Sequence, residues 1–321
     1  MTAALVVENL SVRFTQWRVS VEAVRDVCLD VERGECLALG GESGSGKTQL
    51  FQAAMGLLPE NASARGRAIF HGVDLIGADD AALNRVRGAK IAMIFQDPMT
   101  ALTPQLRIGT QLAEVLVQHA GSSWRDAWSA AGRMLERMHI DEPQRRLRQY
   151  PHELSGGMRQ RVVIGMGLMC GPSLLIADEP TASLDVTVQV QIMELLRTSR
   201  RELGMALILI SHDLGIVAGL ADRIAVMYAG RIVESGAAGE VLRRPLHPYT
   251  AELIRCIPHL SGPLPRRMAT LTGQPPRPQE VHAACAFAPR CAHAEARCRA
   301  ERPQLSAHGV GFAACHFPLQ P

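Results

Sequence analysis

The sequence predicts an α/β fold, and three observations carry that prediction. Apolar strand patterns recur between helical stretches, and a glycine-rich turn leads from one such strand into a helix. The alternation stops near residue 243, where Pro and Arg become frequent. At 321 residues there is room for one large domain and an appendage. The expected boundaries are 1–240 for the large domain, with a helical subdomain at about 97–160, and 241–321 for the appendage.

Leu5–Phe14 alternates loosely and reads as a strand, as does Ala23–Val31, which a turn at Glu32–Glu35 closes. Cys36–Leu39 is a short strand of the buried type, and Lys47–Leu58 reads as a helix stopped by Pro59. Lys90–Phe95 is a further apolar strand. Between Ile108 and Gln149 the pattern turns helical, with Trp124, Trp128, Leu135 and Met138 at apolar positions. Strand patterns return at Ser173–Ala177, Met205–Ser211 and Arg223–Met227. The expected sheet is therefore parallel and flanked by helices, with the middle segment inserted as a helical subdomain. Aromatic residues make up only 4%, which leaves the core to Leu, Val, Ile, Ala and Met.

Composition excludes several classes. Hydrophobic content of 47% and charged content of 20% are ordinary for a globular chain. A formal net charge of +3 with no long Lys/Arg run argues against nucleic acid as a partner. Met1–Leu10 lacks the basic-then-apolar pattern of a secretory signal. The longest apolar stretch, Val162–Ala177, is broken by Gly171, Pro172 and Ser173 and falls short of the roughly 20 residues of a membrane helix. The expectation is a cytosolic chain whose eight cysteines serve as thiols or metal ligands rather than disulfides.

Gly41-Glu42-Ser43-Gly44-Ser45-Gly46-Lys47-Thr48 fits the phosphate loop G-x-x-x-x-G-K-S/T. Glycines let successive N–H groups turn toward phosphate oxygens, and the following helix adds a favourable dipole. Lys47 would supply a point charge to the β- and γ-phosphates, and the Thr48 hydroxyl a ligand to Mg²⁺. Leu174–Glu179 is an apolar strand that delivers two carboxylates at its C-terminal end, where ligands sit in such sheets. Asp178 would hold Mg²⁺ through water, and Glu179 would polarise the attacking water as general base. Together the two elements indicate a P-loop NTPase.

Leu154-Ser155-Gly156-Gly157-Met158-Arg159-Gln160-Arg161 resembles the signature of the ABC ATPases, with Met158 at the fifth position. A hydroxyl and backbone N–H groups at a helix start suit an anion. The resemblance implies that Ser155, Gly156, Gly157 and Gln160 serve the γ-phosphate of ATP held by an opposite subunit. Gln96, in Ile94-Phe95-Gln96-Asp97-Pro98, resembles the Q-loop glutamine that reaches Mg²⁺ and senses a membrane partner. Ser183-Leu184-Asp185 resembles the D-loop at the dimer seam, and His212 the switch histidine that contacts the γ-phosphate. Phe14 is a candidate for the aromatic that stacks on adenine, or else a core residue. The resemblance covers roughly residues 5 to 240 and implies an ABC ATPase core.

Arg244-Pro245-Leu246-His247-Pro248-Tyr249-Thr250 resembles the segment that follows the ATPase domain in oligopeptide and dipeptide importers, nearest to their D-type subunits. Phe95–Pro104 and Tyr150–Leu154 point to the same branch. Cys285, Cys291, Cys298 and Cys315 follow with the spacing C-x5-C-x6-C-x16-C. Four converging thiolates suit Zn²⁺ or an iron–sulfur cluster, and no close C-x2-4-C pair of a zinc knuckle occurs. Related importer subunits carry a [4Fe-4S] cluster in such a tail, so the resemblance ranks that cluster ahead of Zn²⁺, and both ahead of four free thiols. A structural staple for a small irregular C-terminal metal-cluster module is the preferred purpose, and redox or iron sensing the alternative. Cys28, Cys36, Cys170 and Cys256 read as buried packing.

The resemblance implies an ATPase subunit of a dipeptide or oligopeptide importer, peripheral on the cytoplasmic face of the inner membrane. Its implied partners are a second, non-identical ABC ATPase subunit, two transmembrane permease subunits and, indirectly, an extracytoplasmic solute-binding protein. Two alternatives remain at this level: import of nickel, a metal chelate or another small solute, and a soluble ABC ATPase outside transport. The single cassette and the absence of a heptad tract weigh against the second.

Overall fold

The computed structural model describes residues 3–17, 19–182, 184–257, 271–276, 283–309 and 311–319. Ser183 and the Pro- and Arg-rich positions 262–267 and 277–278 lie outside the described residues. In chain order the strands are β1 (Ala3–Gln16), β2 (Val19–Glu32), β3 (Cys36–Gly40), β4 (Ala62–Phe70), β5 (Val73–Asp74), β6 (Ile91–Ile94), β7 (Leu174–Asp178), β8 (Ala206–Ile210), β9 (Arg223–Tyr228), β10 (Arg231–Ala237), β11 (Ser306–His308) and β12 (Gly311–Ala313). The principal helices are α1 (Lys47–Ala54), α2 (Ile108–Ala120), α3 (Trp124–Arg137), α4 (Gly156–Leu168), α5 (Val186–Leu203) and α6 (Pro248–Arg255). Two compact units divide the chain: one is essentially Ala78–Ile208, the other Leu5–Val31, Glu35–Gly77 and Leu209–Pro321.

In the second unit, strands run side by side in the order β11-β12-β10-β9-β3. β3 pairs parallel with β9, Leu37 opposite Arg223, whereas β9, β10, β12 and β11 pair antiparallel in turn. Every residue of β3 is buried, which explains its unbroken apolar run. The expectation of one parallel sheet fails for the first two strands. β1 and β2 belong to a separate antiparallel sheet of order β2-β1-β4-β5. Leu5 and Val7 are buried, then Leu10 and Val12, so the period-two pattern skips a residue. The skip coincides with a register shift between Glu8 and Ser11 and with Asn9 at φ 48. β4 passes that bulge at Gly66, where a Cβ would lie 2.5 Å from the Asn9 carbonyl oxygen.

In the first unit β6 and β7 pair parallel, Ile91 opposite Leu174, and β7 is buried throughout. The helical stretch expected from Ile108 to Gln149 holds α2, α3 and a short third helix at Pro143–Arg146, and Gly121, in the left-handed region at φ 64, closes α2. Ser123 then caps α3 by accepting from the Asp126 N–H. α2 and α3 approach closely, since a Cβ on Gly109 would come within 2.6 Å of the Trp128 ring. Leu135 and Met138 are buried as expected, but Trp124 is 52% exposed, because it opens the helix off its apolar face. No helix among the described residues is long and apolar enough to cross a membrane.

Candidate functional site

The phosphate-loop residues turn from β3 into α1. Gly41 and Gly46 have φ of 142° and 104°, and a Cβ would lie 2.2 Å from the Met227 carbonyl oxygen at the first and 2.4 Å from that of Ala23 at the second. Ser43 and Gly44 are exposed, while Ser45 and Lys47 are buried. The Lys47 ammonium donates to the carbonyls of Gly41 and Glu42 at 2.7 and 2.8 Å and to Ser45 Oγ at 3.3 Å. Thr48 stands half-buried in the first turn of α1. A cation at a helix N-terminus, inside a glycine-rich turn, suits polyphosphate.

In the same unit, β8 ends in a turn that presents His212. Ser211 Oγ accepts from the Asp213 N–H at 3.0 Å, and Asp213 accepts from the N–H of Gly215 at 2.8 Å. These side chains set the bend, leaving His212 exposed at its apex. Phe14 lies half-buried on β1 opposite Ala62.

In the other unit, Asp178 closes β7 in a buried position. Glu179 follows at φ 47, a left-handed conformation that strains a residue with a Cβ and recurs where side chains are aimed for function. Gln96 Nε2 donates to Glu179 Oε2 at 2.9 Å, so the amide orients the carboxylate. A half-buried carboxylate held this way can accept a proton from water.

Ser155 caps α4, its hydroxyl accepting from the Met158 N–H at 3.3 Å. Among the described residues a Cβ on Gly156 would meet nothing within 4 Å, whereas one on Gly157 would touch Val188 Cγ1 at 3.0 Å. Gln160, read as part of this anion surface, is 3% exposed, and its Nε2 is buried with no hydrogen-bond partner among the described residues. Asp185 is exposed and caps α5 by accepting from the Val188 N–H at 3.0 Å.

The C-terminal region packs onto β9 and β10, within their unit. Tyr228, Tyr249 and Phe287 pack with ring centroids 4.5 to 5.4 Å apart, and His247 adds to the cluster. His247 Nδ1 accepts from the Tyr249 N–H at 3.0 Å, which makes the ring the N-cap of α6. Burial pushes its pKa down to about 4, so the imidazole is neutral. The N–H groups of Leu246 and His247 both donate to the buried Glu234 carboxylate at 2.8 Å. Burial also raises Glu234, and those hydrogen bonds oppose the rise.

Cys285, Cys291, Cys298 and Cys315 line one cavity of about 20 Å³ together with His293 and His316. Burial raises the Cys315 thiol to about 11, with the other three cysteines adding to it. No three His, Cys, Asp or Glu side chains among the described residues are arranged to hold a single metal ion. Of the four cysteines read as packing, Cys36 is buried, Cys170 and Cys256 are half-buried, and Cys28 is exposed. The last is a correction: β2 alternates Val27 inward and Cys28 outward.

Sequence reasoning missed one residue at the phosphate loop. Arg290 forms a two-pronged ion pair with Glu42, at 2.7 and 2.9 Å, from 248 positions away. Its neighbourhood between Cys285 and Cys291 drew no attention to it, since only the cysteines carried a spacing signal.

Residues 24–182 match the ABC transporter family model, and residues 233–298 match that of the oligopeptide/dipeptide transporter C-terminal region. The chain is 46% identical over 317 residues to the oligopeptide transport ATP-binding protein OppD of Salmonella typhimurium, covering 98% of this chain and 94% of that relative. It is 46% identical over 295 residues to the dipeptide transport ATP-binding protein DppD of Bacillus subtilis, covering 91% and 87%. Among solved structures it is similar to a dimeric ATP-binding cassette in a post-hydrolysis state bound to ADP and Pi. That match has a TM-score of 0.66 at 25% identity and covers 73% of this chain and 98% of the other. The likeness runs through the ATPase core and continues past it into the aromatic tail, and on that full-length agreement the chain belongs to the ABC transporter family, among the ATP-binding subunits of oligopeptide/dipeptide transporters.

Proposed function

We propose that this chain binds ATP with Mg²⁺ and hydrolyses it to power import of dipeptides or oligopeptides across the cytoplasmic membrane. One observation carries the reading: ATPase motifs and the His247–Tyr249 segment occur in one chain that aligns over 98% of its length with an oligopeptide transport ATP-binding protein. In this reading residues 1–240 are the ATPase domain, with a helical subdomain at about 97–160, and 241–321 are the importer-type extension.

Lys47 and amides of the Gly41–Thr48 loop hold the phosphates, the Glu42 N–H being turned instead to Tyr249, and Phe14 stacks on adenine. The Thr48 hydroxyl, the Gln96 amide and the Asp178 carboxylate are oxygen donors of the kind Mg²⁺ requires. When bound, Mg²⁺ neutralises phosphate charge. Glu179, oriented by Gln96, accepts the proton of water as its oxygen attacks the γ-phosphorus and the bond to ADP breaks. His212 steadies the γ-phosphate.

Ser155, Gly156 and Gly157 face ATP held by a second, non-identical ATPase subunit, with Gln160 buried beneath them and Asp185 at the seam. The open space at Gly156 supports this. Two permease subunits would anchor the pair at the cytoplasmic face, and an extracytoplasmic binding protein would set the cargo. Replacing Glu179 with Gln should cut hydrolysis by the assembled transporter roughly 10²–10⁴-fold while ATP stays bound. Near-normal turnover would remove Glu179 from the role of base.

For the tail we propose a [4Fe-4S] cluster on Cys285, Cys291, Cys298 and Cys315. Four cysteine sulfurs lining one cavity support it, and the lack of a close C-x2-4-C pair in the sequence leans away from a zinc knuckle. Bound there, the group would cross-link a module with little regular structure. Iron and acid-labile sulfide analysis of anaerobically purified chain should find about four of each per chain. Zinc, or neither metal, would sink the assignment.

A further inference from the structure

We infer that Arg290 and Tyr249, both from the C-terminal region, are positioning residues for the phosphate loop and act on it through Glu42. The inference rests on reading residues 41–48 as the loop that holds the phosphates of ATP.

Glu42 is fixed at three points. Its N–H donates to the Tyr249 hydroxyl oxygen at 2.8 Å, so this amide is directed at the tail. Its carboxylate accepts two parallel bonds from Arg290, at 2.7 and 2.9 Å. Its carbonyl accepts from Lys47 Nζ at 2.8 Å. The lysine of the loop is thus anchored on a residue that the tail holds in place.

The holders are themselves rigid. The Arg290 side chain is only 4% exposed, its Nε donates to the Thr272 carbonyl at 2.8 Å, and its guanidinium lies 5.8 and 5.9 Å from the ring centroids of Tyr228 and Phe287. Tyr249 is fully buried. Arg290 also belongs to the turn that carries two of the cysteines, where its N–H bonds the Phe287 carbonyl and that of Cys291 bonds Ala288.

A loop with glycines at positions 41, 44 and 46, all at positive φ, has little side-chain packing to select one shape. A two-pronged arginine–carboxylate bond adds direction as well as strength. Holding the loop in its binding shape before ATP arrives removes an ordering cost from binding. The C-terminal region is in this way part of the nucleotide site and not only an appendage to it.

The test is titration of the full-length chain with Mg²⁺ and an ATP analogue carrying a fluorescent group on its ribose. Arg290→Gln and Glu42→Gln should each weaken binding about tenfold, and the double variant should be no weaker than the weaker single. Arg290→Lys keeps the charge but loses the fork and should fall between wild type and Arg290→Gln. In the assembled transporter KM for ATP should rise while kcat holds, a split that general loss of structure would not produce. Lys47→Ala is the control. If it also keeps wild-type affinity, the phosphate-loop reading itself fails. If it loses affinity while a folded Arg290→Gln binds like wild type, or if the two single effects simply add, the positioning inference fails. Should Arg290→Gln not fold, unchanged affinity in both Arg290→Lys and Tyr249→Phe overturns it.

Discussion

The phosphate loop and the signature segment are both glycine-rich turns that open a helix, yet their glycines answer to different constraints. At Gly46 the chain's own backbone demands glycine, through φ of 104° and a carbonyl oxygen 2.4 Å from where a Cβ would sit. Gly156 has no such φ and open space around it, so nothing among the described residues excludes a side chain there. Gly157 is intermediate, pressed by Val188. A glycine required from within marks a site the chain shapes by itself. A glycine with room to spare is compatible with a surface shaped by something outside the chain, as the proposed contact of the signature with a second subunit's nucleotide requires.

The strongest way to break this comparison is Gly46→Ala. The added Cβ meets the Ala23 carbonyl oxygen at 2.4 Å, which cannot swing aside as the Met227 Cε at 2.9 Å can, and the φ is one that L residues rarely adopt. Strain and overpacking together should cost roughly 3–5 kcal/mol of stability and abolish measurable nucleotide binding. Denaturant unfolding and nucleotide titration check the two parts. A Gly46→Ala chain with wild-type stability and affinity would mean that the loop is not constrained from within.

The parts of this molecule that were legible in its sequence are those specified by neighbours along the chain. β3, β7 and β8 announce themselves as unbroken apolar runs because both their faces are buried. The phosphate loop, Glu179 at its strand end and the Ser155 cap follow from spacings of a few residues. β4 was not legible: ASARGRAIF has two arginines and a glycine, and its place depends on Gly66 meeting the bulge at Asn9. Trp124 and Cys28 misled for a related reason. An apolar type is not an inward position, and their exposure depends on where a helix begins and on which face a strand turns to the core. The contact of Arg290 with Glu42 spans 248 residues, and no local pattern encodes it.

His247 extends the comparison to the tail, where a polar group is fixed from within as firmly as Gly46. Its folded pKa of about 4 lies below the ordinary 6.5. Between those values the unfolded chain binds the proton and the folded chain does not. Stability is therefore complete above pH 6.5 and falls as pH drops through the window from 6.5 to 4, by up to about 3 kcal/mol. Glu234, raised by burial, has the opposite sign and offsets part of the loss. Urea unfolding from neutral pH to pH 4.5 should show a steeper acid loss for wild type than for His247→Asn, which can still accept the Tyr249 N–H. Equal slopes would mean that the ring titrates freely.

The smallest effect makes the sharpest distinction. Gly156→Ala adds one methyl group into open space, so the chain alone should unfold at the wild-type denaturant midpoint and bind nucleotide with wild-type affinity. Alanine even favours the helix that begins there. In the assembled transporter the same methyl group would stand between the signature amides and the opposite subunit's γ-phosphate. Hydrolysis should then fall roughly tenfold, about the loss of one hydrogen bond to a charged group. Stability, lone-chain affinity and assembled turnover thus separate the two kinds of glycine. If Gly156→Ala weakened the isolated chain, the signature would be shaped from within after all. If it left assembled turnover untouched, no anion would approach these amides across a subunit seam.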